Sequence, residues 1–180
     1  MQAARDYSDA ELVAFTLAGN PESFAQIVTR YQSLVCALTY SACGDLSRSE
    51  DLAQETFLRA YKNLRSSRGE ARFSTWLYRI AYNCFREEAR KRKELVGIDE
   101  AQLQAEHDPQ TVDPALRHDL ARALELLPVH ERSAIVLCCQ NGLSHDEASR
   151  VLDIPLGTVK TNVLRGREKL KKMLAGWGSN

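Results

Sequence analysis

Thr158, Lys160, Thr161, Asn162, Arg165 and Arg167 put hydroxyl, amide and cationic groups along one short stretch, interleaved with Val159, Val163 and Leu170 at helical spacing. Such side chains on one helix suit the grooves of duplex DNA. Amides and guanidinium groups match base edges, and cations neutralise phosphates. The residues before them fit that use. Ser144 and Glu147 form an S-x-x-E capping box that opens a helix carrying Ala148, Val151 and Leu152 inward. Asp153-Ile154-Pro155 then stops it, because proline disfavours helical geometry in the preceding residue and itself suits a helix start. The pattern over Leu143–Leu174 is a helix-turn-helix. An ordinary helical hairpin with a solvated cationic face has the same spacing.

A second stretch, Phe73–Lys93, combines aromatic rings with cations. Trp76, Leu77 and Ile80 are expected to pack inward. Phe73, Tyr78, Tyr82 and Phe85 are more aromatics than one core stripe on a single helix takes. Rings interleaved with Arg79, Arg86, Arg90, Lys91 and Arg92 suit single-stranded DNA, whose bases stack while its phosphates follow the cations. A bulky core with a soluble basic end is the equal alternative. A third stretch, Glu50–Leu64, has Leu52, Phe57, Leu58, Tyr61 and Leu64 available for burial, with Asp51, Gln54, Glu55, Arg59 and Lys62 on the polar side.

Nothing points to catalysis, a metal or a cofactor. His107, His118, His130 and His145 fall in linker, helix-face or cap contexts, with no Ser–His or Cys–His arrangement. Cys36, Cys43, Cys84, Cys138 and Cys139 follow no C-x-x-C spacing and read as free thiols, mostly among apolar residues. No basic-then-apolar leader and no membrane-length apolar run is visible, so a cytoplasmic chain without membrane insertion is expected.

The elements that must position these stretches follow from caps and breakers. Ser8 and Glu11 open a helix ending near Gly19, and Asn20-Pro21 starts a longer one that Gly44-Asp45 breaks. Ser47 and Glu50 form another box, expected to open the next helix at Glu50. Periodicity lapses over Glu94–Asp113, resumes at Leu116–Leu127, stops at Pro128, and covers about His130–Gln140 before Asn141-Gly142. No strand pattern occurs. The expected fold is all-α: two small helical domains, 8–93 and 114–175, joined by a flexible linker at 94–113, the second containing the helix-turn-helix.

The chain has no net charge, yet its charges are segregated. Lys and Arg number 9 against 3 Asp and Glu in residues 65–93, 2 against 9 in 94–131, and 8 against 4 in 132–180. Two basic segments flank an acidic one, which keeps a nucleic-acid partner in view despite the neutral total.

In order, DLAQETFLRAYKNL, FSTWLYRIAYN, LP-x-x-x-R and LSHDEASRVLDIPLGTVK-x-x-x-x-RGREKL resemble the bacterial sigma factors of the extracytoplasmic function (ECF) family, over about residues 8–174. The resemblance implies an initiation factor whose N-terminal domain binds core RNA polymerase and opens the −10 element, and whose C-terminal domain reads the −35 element. By position, Asp51, Gln54, Glu55, Phe57 and Arg59 would dock on the polymerase. Tyr78, Arg79, Tyr82 and Asn83, with Arg86 beside them, would lie at the −10 element. Thr158, Lys160, Thr161, Asn162, Arg165 and Arg167 would face the −35 duplex. The partners implied are core polymerase, promoter DNA and an anti-sigma factor. Two departures touch the promoter sequence: Thr161-Asn162 replaces a common Ser-Arg, and Gly166 stands where alanine is usual. An autonomous helix-turn-helix regulator is the other class, although residues 2–93 show no heptad seam for dimerisation.

Overall fold

The computed structural model describes residues 7–69, 72–96 and 115–177, and all its elements are helical. They are α1 (Asp9–Leu17), α2 (Pro21–Cys43), α3 (Leu46–Lys62), α4 (Phe73–Val96), α5 (Ala115–Glu125), α6 (Val129–Ile135), α7 (His145–Leu152) and α8 (Leu156–Trp177). A 3-10 segment, Leu64–Gly69, follows α3, and a widened π turn, Val136–Gln140, extends α6. Most of the expected linker at 94–113, from residue 97 on, lies outside the described residues, and α4 itself runs on to Val96. No helix among the described residues is long and apolar enough to cross a membrane.

The caps explain most boundaries. Ser8 and Glu11 bond reciprocally at the start of α1, and Ser144 and Glu147 do the same at α7, each pair satisfying backbone N–H groups that no helical carbonyl reaches. Asn20 accepts from the Glu22 N–H at 3.0 Å and Pro21 occupies the first turn of α2. Gly44 ends α2 in the left-handed region at φ 71°. The start of α3 differs from the expected box at Ser47 and Glu50. Asp45 accepts from the Arg48 N–H at 2.8 Å, so the helix begins at Leu46 and takes Ser47 into its first turn. Two competent caps stood two residues apart, and the one directly after the Gly44 break took the role.

The helices form two groups that share a core. In the first, α1 lies on α2, and α2, α3 and α4 pack against one another; in the second, α5, α6 and α7 pack on α8. Helix α7 also packs on α4, and α6 on α2. One apolar cluster therefore runs through both groups, from Leu38, Trp76 and Leu77 to Leu137, Val151 and Val159. A smaller one, Ala123, Leu127, Ile135 and Leu170, ties α5 and α6 to α8.

This double packing corrects the expected surplus of aromatics on α4. Tyr78, Tyr82 and Phe85 are buried, and Phe73 is half-buried against Trp76 and Tyr31. A helix covered by α2 and α3 on one side and α7 on another has more than one core stripe. The opposite correction applies to α3, where Leu58 and Tyr61, available for burial by pattern, are 56% and 50% exposed.

The Asp45 cap carries a measurable consequence. Asp45→Ala should lower stability in urea denaturation by about 1 kcal/mol, whereas Ser47→Ala should stay within about 0.5 kcal/mol. Equal losses from the two substitutions would contradict the assigned start of α3.

Candidate functional site

Helix α8 is two-sided. Val159, Val163, Gly166 and Leu170 are buried, and at 100° per residue Thr161, Leu164 and Arg165 lie opposite them. Thr158, Lys160, Thr161, Arg165 and Arg167 are exposed; Asn162 is half-buried on the flank. The Thr161 hydroxyl donates to the Gly157 carbonyl at 2.9 Å, and Leu164, three residues on, is 60% exposed. Leu164 was not among the residues singled out by sequence. Its type hid it, since an apolar residue in an amphipathic helix reads as core unless the register is known.

The turn before α8 is fixed locally. Asp153 sits in the left-handed region at φ 56°, the Ser149 hydroxyl donates to the Ile154 carbonyl at 2.6 Å, and Pro155 leads into α8. An aspartate tolerates that backbone better than most side chains do. Glu147, which caps α7, is held below the usual carboxylate range by the Ser144 backbone N–H and hydroxyl, and further by Arg72.

Arg72, just before α4, and Thr75, Arg79, Tyr82 and Arg86 on it recur at three- and four-residue steps and so share one side. Helix α7 covers that side. Arg72 pairs with Glu147 at 3.3 Å, Thr75 donates to Glu147 at 3.5 Å, and Arg86 pairs with Asp153 at 3.1 Å. Asn83 is exposed just beyond the covered side. Tyr78 lies deeper, at 1% exposure, edge-on to Tyr31. Burial pushes both hydroxyls well above the ordinary tyrosine range, and Asp9, which accepts from Tyr31 at 2.6 Å, pushes its pKa further. In this arrangement neither Tyr78 nor Tyr82 offers a free ring face for stacking, which departs from the expected base pocket.

Helix α3 supplies a third face. Asp51 and Gln54 are exposed together with Leu58 and Tyr61. Phe57 is half-buried against the core. Glu55 and Arg59 pair at 2.6 Å, and Arg59 reaches Glu87 of α4 at 2.7 Å. Hydrogen bonds to both carboxylates raise the Arg59 pKa, so this arginine also joins α3 to α4. Leu58 and Tyr61 add apolar area to a face that sequence alone showed as polar, and the signal they gave was read for the core.

Four of the five thiols are held protonated by burial, and Cys139 is exposed. Cys84 is buried; Cys36, Cys43 and Cys138 are half-buried, and burial pushes all four upward, Cys138 to about 11.

Sigma-70 region 2 matches residues 27–94, and Sigma-70 region 4 matches residues 117–170. The ECF RNA polymerase sigma factor SigW of Bacillus subtilis is 38% identical over 170 residues, covering 87% of this chain and 91% of that protein. The ECF RNA polymerase sigma-E factor of Escherichia coli is 34% identical over 179 residues, covering 91% and 92%. Among solved structures, the sigma factor RpoE in complex with the anti-sigma factor NepR from Bartonella quintana aligns with a TM-score of 0.72 at 26% identity, over 86% of this chain and 98% of that one.

Gly166 gives the testable detail of the helix-turn-helix. A Cβ there would meet Ile135 Cγ1 at 3.0 Å and Glu131 Cβ at 3.5 Å, so Ile135 fills the space an alanine needs. In an unhindered helix Gly→Ala gains about 0.5–1 kcal/mol. Gly166→Ala should fall short of that gain in the wild-type background and recover it when combined with Ile135→Ala. A double-mutant cycle by chemical denaturation measures the coupling; strict additivity would mean that Ile135 does not fill this space.

Proposed function

Since the chain belongs to the extracytoplasmic function (ECF) family of RNA polymerase sigma factors, we propose that its three faces divide the work of initiation between them. The protein binds core RNA polymerase and directs promoter-specific transcription initiation, and its partners are core polymerase and promoter DNA. The observation that carries the assignment of faces is the outward side of α8, polar and exposed opposite a buried stripe, on a helix entered through a capped helix and a tight turn.

The outer side of α8 is assigned to the −35 duplex. Lys160, Arg165 and Arg167 contact phosphate, while Thr158 and Thr161 face base edges, with Asn162 at the margin. Residues 8–93 are assigned to core binding and the −10 element, and residues 114–175 to the −35 element, with 94–113 as the linker between them. Arg79, Tyr82, Asn83 and Arg86 line the side of α4 that meets the −10 strand, with Tyr78 supporting it from beneath. Asp51 and Gln54, framed by Leu58 and Tyr61, form the centre of the polymerase face. Glu55, Phe57 and Arg59 hold that face against the core and α4. The place of action is the cytoplasm, where core polymerase is. A sigma factor of similar fold is held by an anti-sigma factor, and a protein of that kind is proposed as a partner here.

In-vitro transcription with core enzyme on genomic fragments, with start-site mapping, tests the whole assignment; absence of any specific start would refute it. Docking is tested more closely by Asp51→Ala combined with Gln54→Ala. Truncation at the centre of an interface costs about 2 kcal/mol or more, so the double variant should compete for core enzyme about thirtyfold less well while keeping its helical content. Undiminished competition would return this face to mere solvation.

For the −10 element, Asn83→Ala and Arg79→Ala should slow open-complex formation on duplex templates and matter less on a pre-melted bubble, because unstacking a base costs a few kcal/mol that capture offsets. Permanganate footprints equal to wild type would remove these residues from the melting face.

A further inference from the structure

A cleft of about 870 Å³ lies between α1, α2 and the start of α4, within the size range of small-molecule sites. Val13, Leu34 and Phe73 give it apolar walls, and Asn141 and Gly142, after the π turn, line it from the C-terminal group. Among the described lining residues, Arg30, Arg68 and Arg72 stand against one carboxylate, Asp9. Asp9 is taken up by Arg30 and Tyr31, and Arg72 pairs with Glu147 at 3.3 Å. Arg68 is exposed and makes no ion pair or hydrogen bond among the described residues.

The inner part of the cleft differs in kind. Tyr78 lines it at 1% exposure, and its hydroxyl has no hydrogen-bond partner among the described residues. The Asn141 amide nitrogen is used on the Leu34 carbonyl, but Asn141 Oδ1 is buried with no partner. Buried polar groups are nearly always satisfied, so a spare donor and a spare acceptor lining one cleft point to something bound there. Ser74, which also lines the cleft, lies opposite Asn83 at 100° per residue. The cleft is therefore distinct from the side of α4 that carries Asn83.

We infer that this cleft binds a small phosphorylated heterocycle, in chemical class a nucleoside phosphate. Arg68, with Arg72, takes the phosphates at the rim, where a guanidinium bonds two oxygens at once. The Tyr78 hydroxyl donates to the edge of the heterocycle, and Asn141 Oδ1 accepts from it. Val13, Leu34 and Phe73 exclude water from its faces. A simple anion has no use for the apolar walls or the buried donor and acceptor, and an uncharged ring has none for the arginines. A compound with both parts uses all of them. A DNA strand carries the same groups, but its chain must run on at both ends, whereas the polar floor is buried and takes in a short ligand whole.

The test uses the full chain at about 0.15 M salt without divalent cations. The probes are adenosine and guanosine 5′-diphosphate, with pyrophosphate and the free nucleosides as their halves, read by titration calorimetry and thermal shift. At least one diphosphate should bind saturably at one site and raise the melting temperature, and its halves should each bind at least about tenfold more weakly. Arg68→Ala should weaken the diphosphate about tenfold. Arg65→Ala, exposed but outside the cleft, should leave binding unchanged. Tyr78→Phe should weaken diphosphate and nucleoside alike at unchanged helical content; if that variant loses helix, Arg68→Ala carries the test.

No saturable binding of either diphosphate would overturn the site. Pyrophosphate binding as tightly as the diphosphates would overturn the nucleoside class. Equal losses from Arg65→Ala and Arg68→Ala would reduce the binding to general charge attraction and overturn it as well. A labelled single-stranded DNA of mixed sequence that displaces the diphosphate, and loses as much to Arg68→Ala, would assign the cleft to nucleic acid and sink the small ligand.

Discussion

The structure depends on α4 being enclosed. Helix α2 and helix α3 close one side of it and α7 another, so a single helix carries core for both groups. Trp76, Leu77, Tyr78, Tyr82 and Phe85 spread their rings and chains around most of its circumference, and all are buried. A helix apolar on so many sides cannot stand in water, which binds the fate of the C-terminal group to that of the N-terminal one. The first-turn strap works to the same end. Asp9 of α1 takes Arg30 at 2.6 Å and Tyr31 at 2.6 Å, fixing α1 on α2 and placing the Tyr31 ring against Tyr78.

What holds the groups together is uneven in kind. The apolar cluster is continuous across them, whereas of the ion pairs across α4 and α7 Arg86–Asp153 stands largely in solvent and Arg72–Glu147 is exposed mainly on the arginine side. Exposed pairs contribute on the order of 0–1 kcal/mol each, so they set orientation more than strength. Arg132 is the exception. It is buried among carbonyls at the end of α2, where burial pulls its pKa down and Glu125 opposes that pull. A cation at the C-terminal end of a helix is favourably placed by the helix dipole. Arg132 also donates to the Glu125 carbonyl of its own group at 3.2 Å, so it joins the end of α5 to the end of α2.

Most of the fold was legible because its boundaries rest on local chemistry. The capping boxes at Ser8 and Ser144, the Asn20-Pro21 start and the Gly44 stop each act within one helical turn, and sequence displays such neighbours directly. The start of α3 failed because Asp45 and Ser47 both satisfy the local rule, and the choice lay with the preceding break. The faces failed where a distant partner decides. Leu58 and Tyr61 match a core period, yet among the described residues both stay exposed, although the Phe24 ring meets Tyr61 at 5.0 Å. Tyr78 and Tyr82 look like a surplus until α7, some seventy residues later, is known to close over α4. Periodicity gives the stripe and cannot say how many stripes a helix will have.

The two departures of α8 from its family's pattern can be separated by the same geometry. Gly166 faces Ile135 and Glu131 on the buried side of α8, so it answers to packing: Ile135 occupies the volume that an alanine methyl would need. Asn162 is half-buried on the flank of α8, away from the side that Thr161 and Arg165 share, so an amide there replaces an arginine at the margin of the proposed duplex contact. Thr161 stands at the centre of the outward side with its hydroxyl committed to the Gly157 carbonyl. Its hydroxyl oxygen can still accept from a base edge, and the exposed Leu164 three residues on adds an apolar side chain of the kind that meets a thymine methyl. On the proposed function, then, the preference of this chain for its upstream element rests less on the amide of Asn162 than on an apolar patch between cations. That patch became visible only when the register of α8 against Ile135 was known.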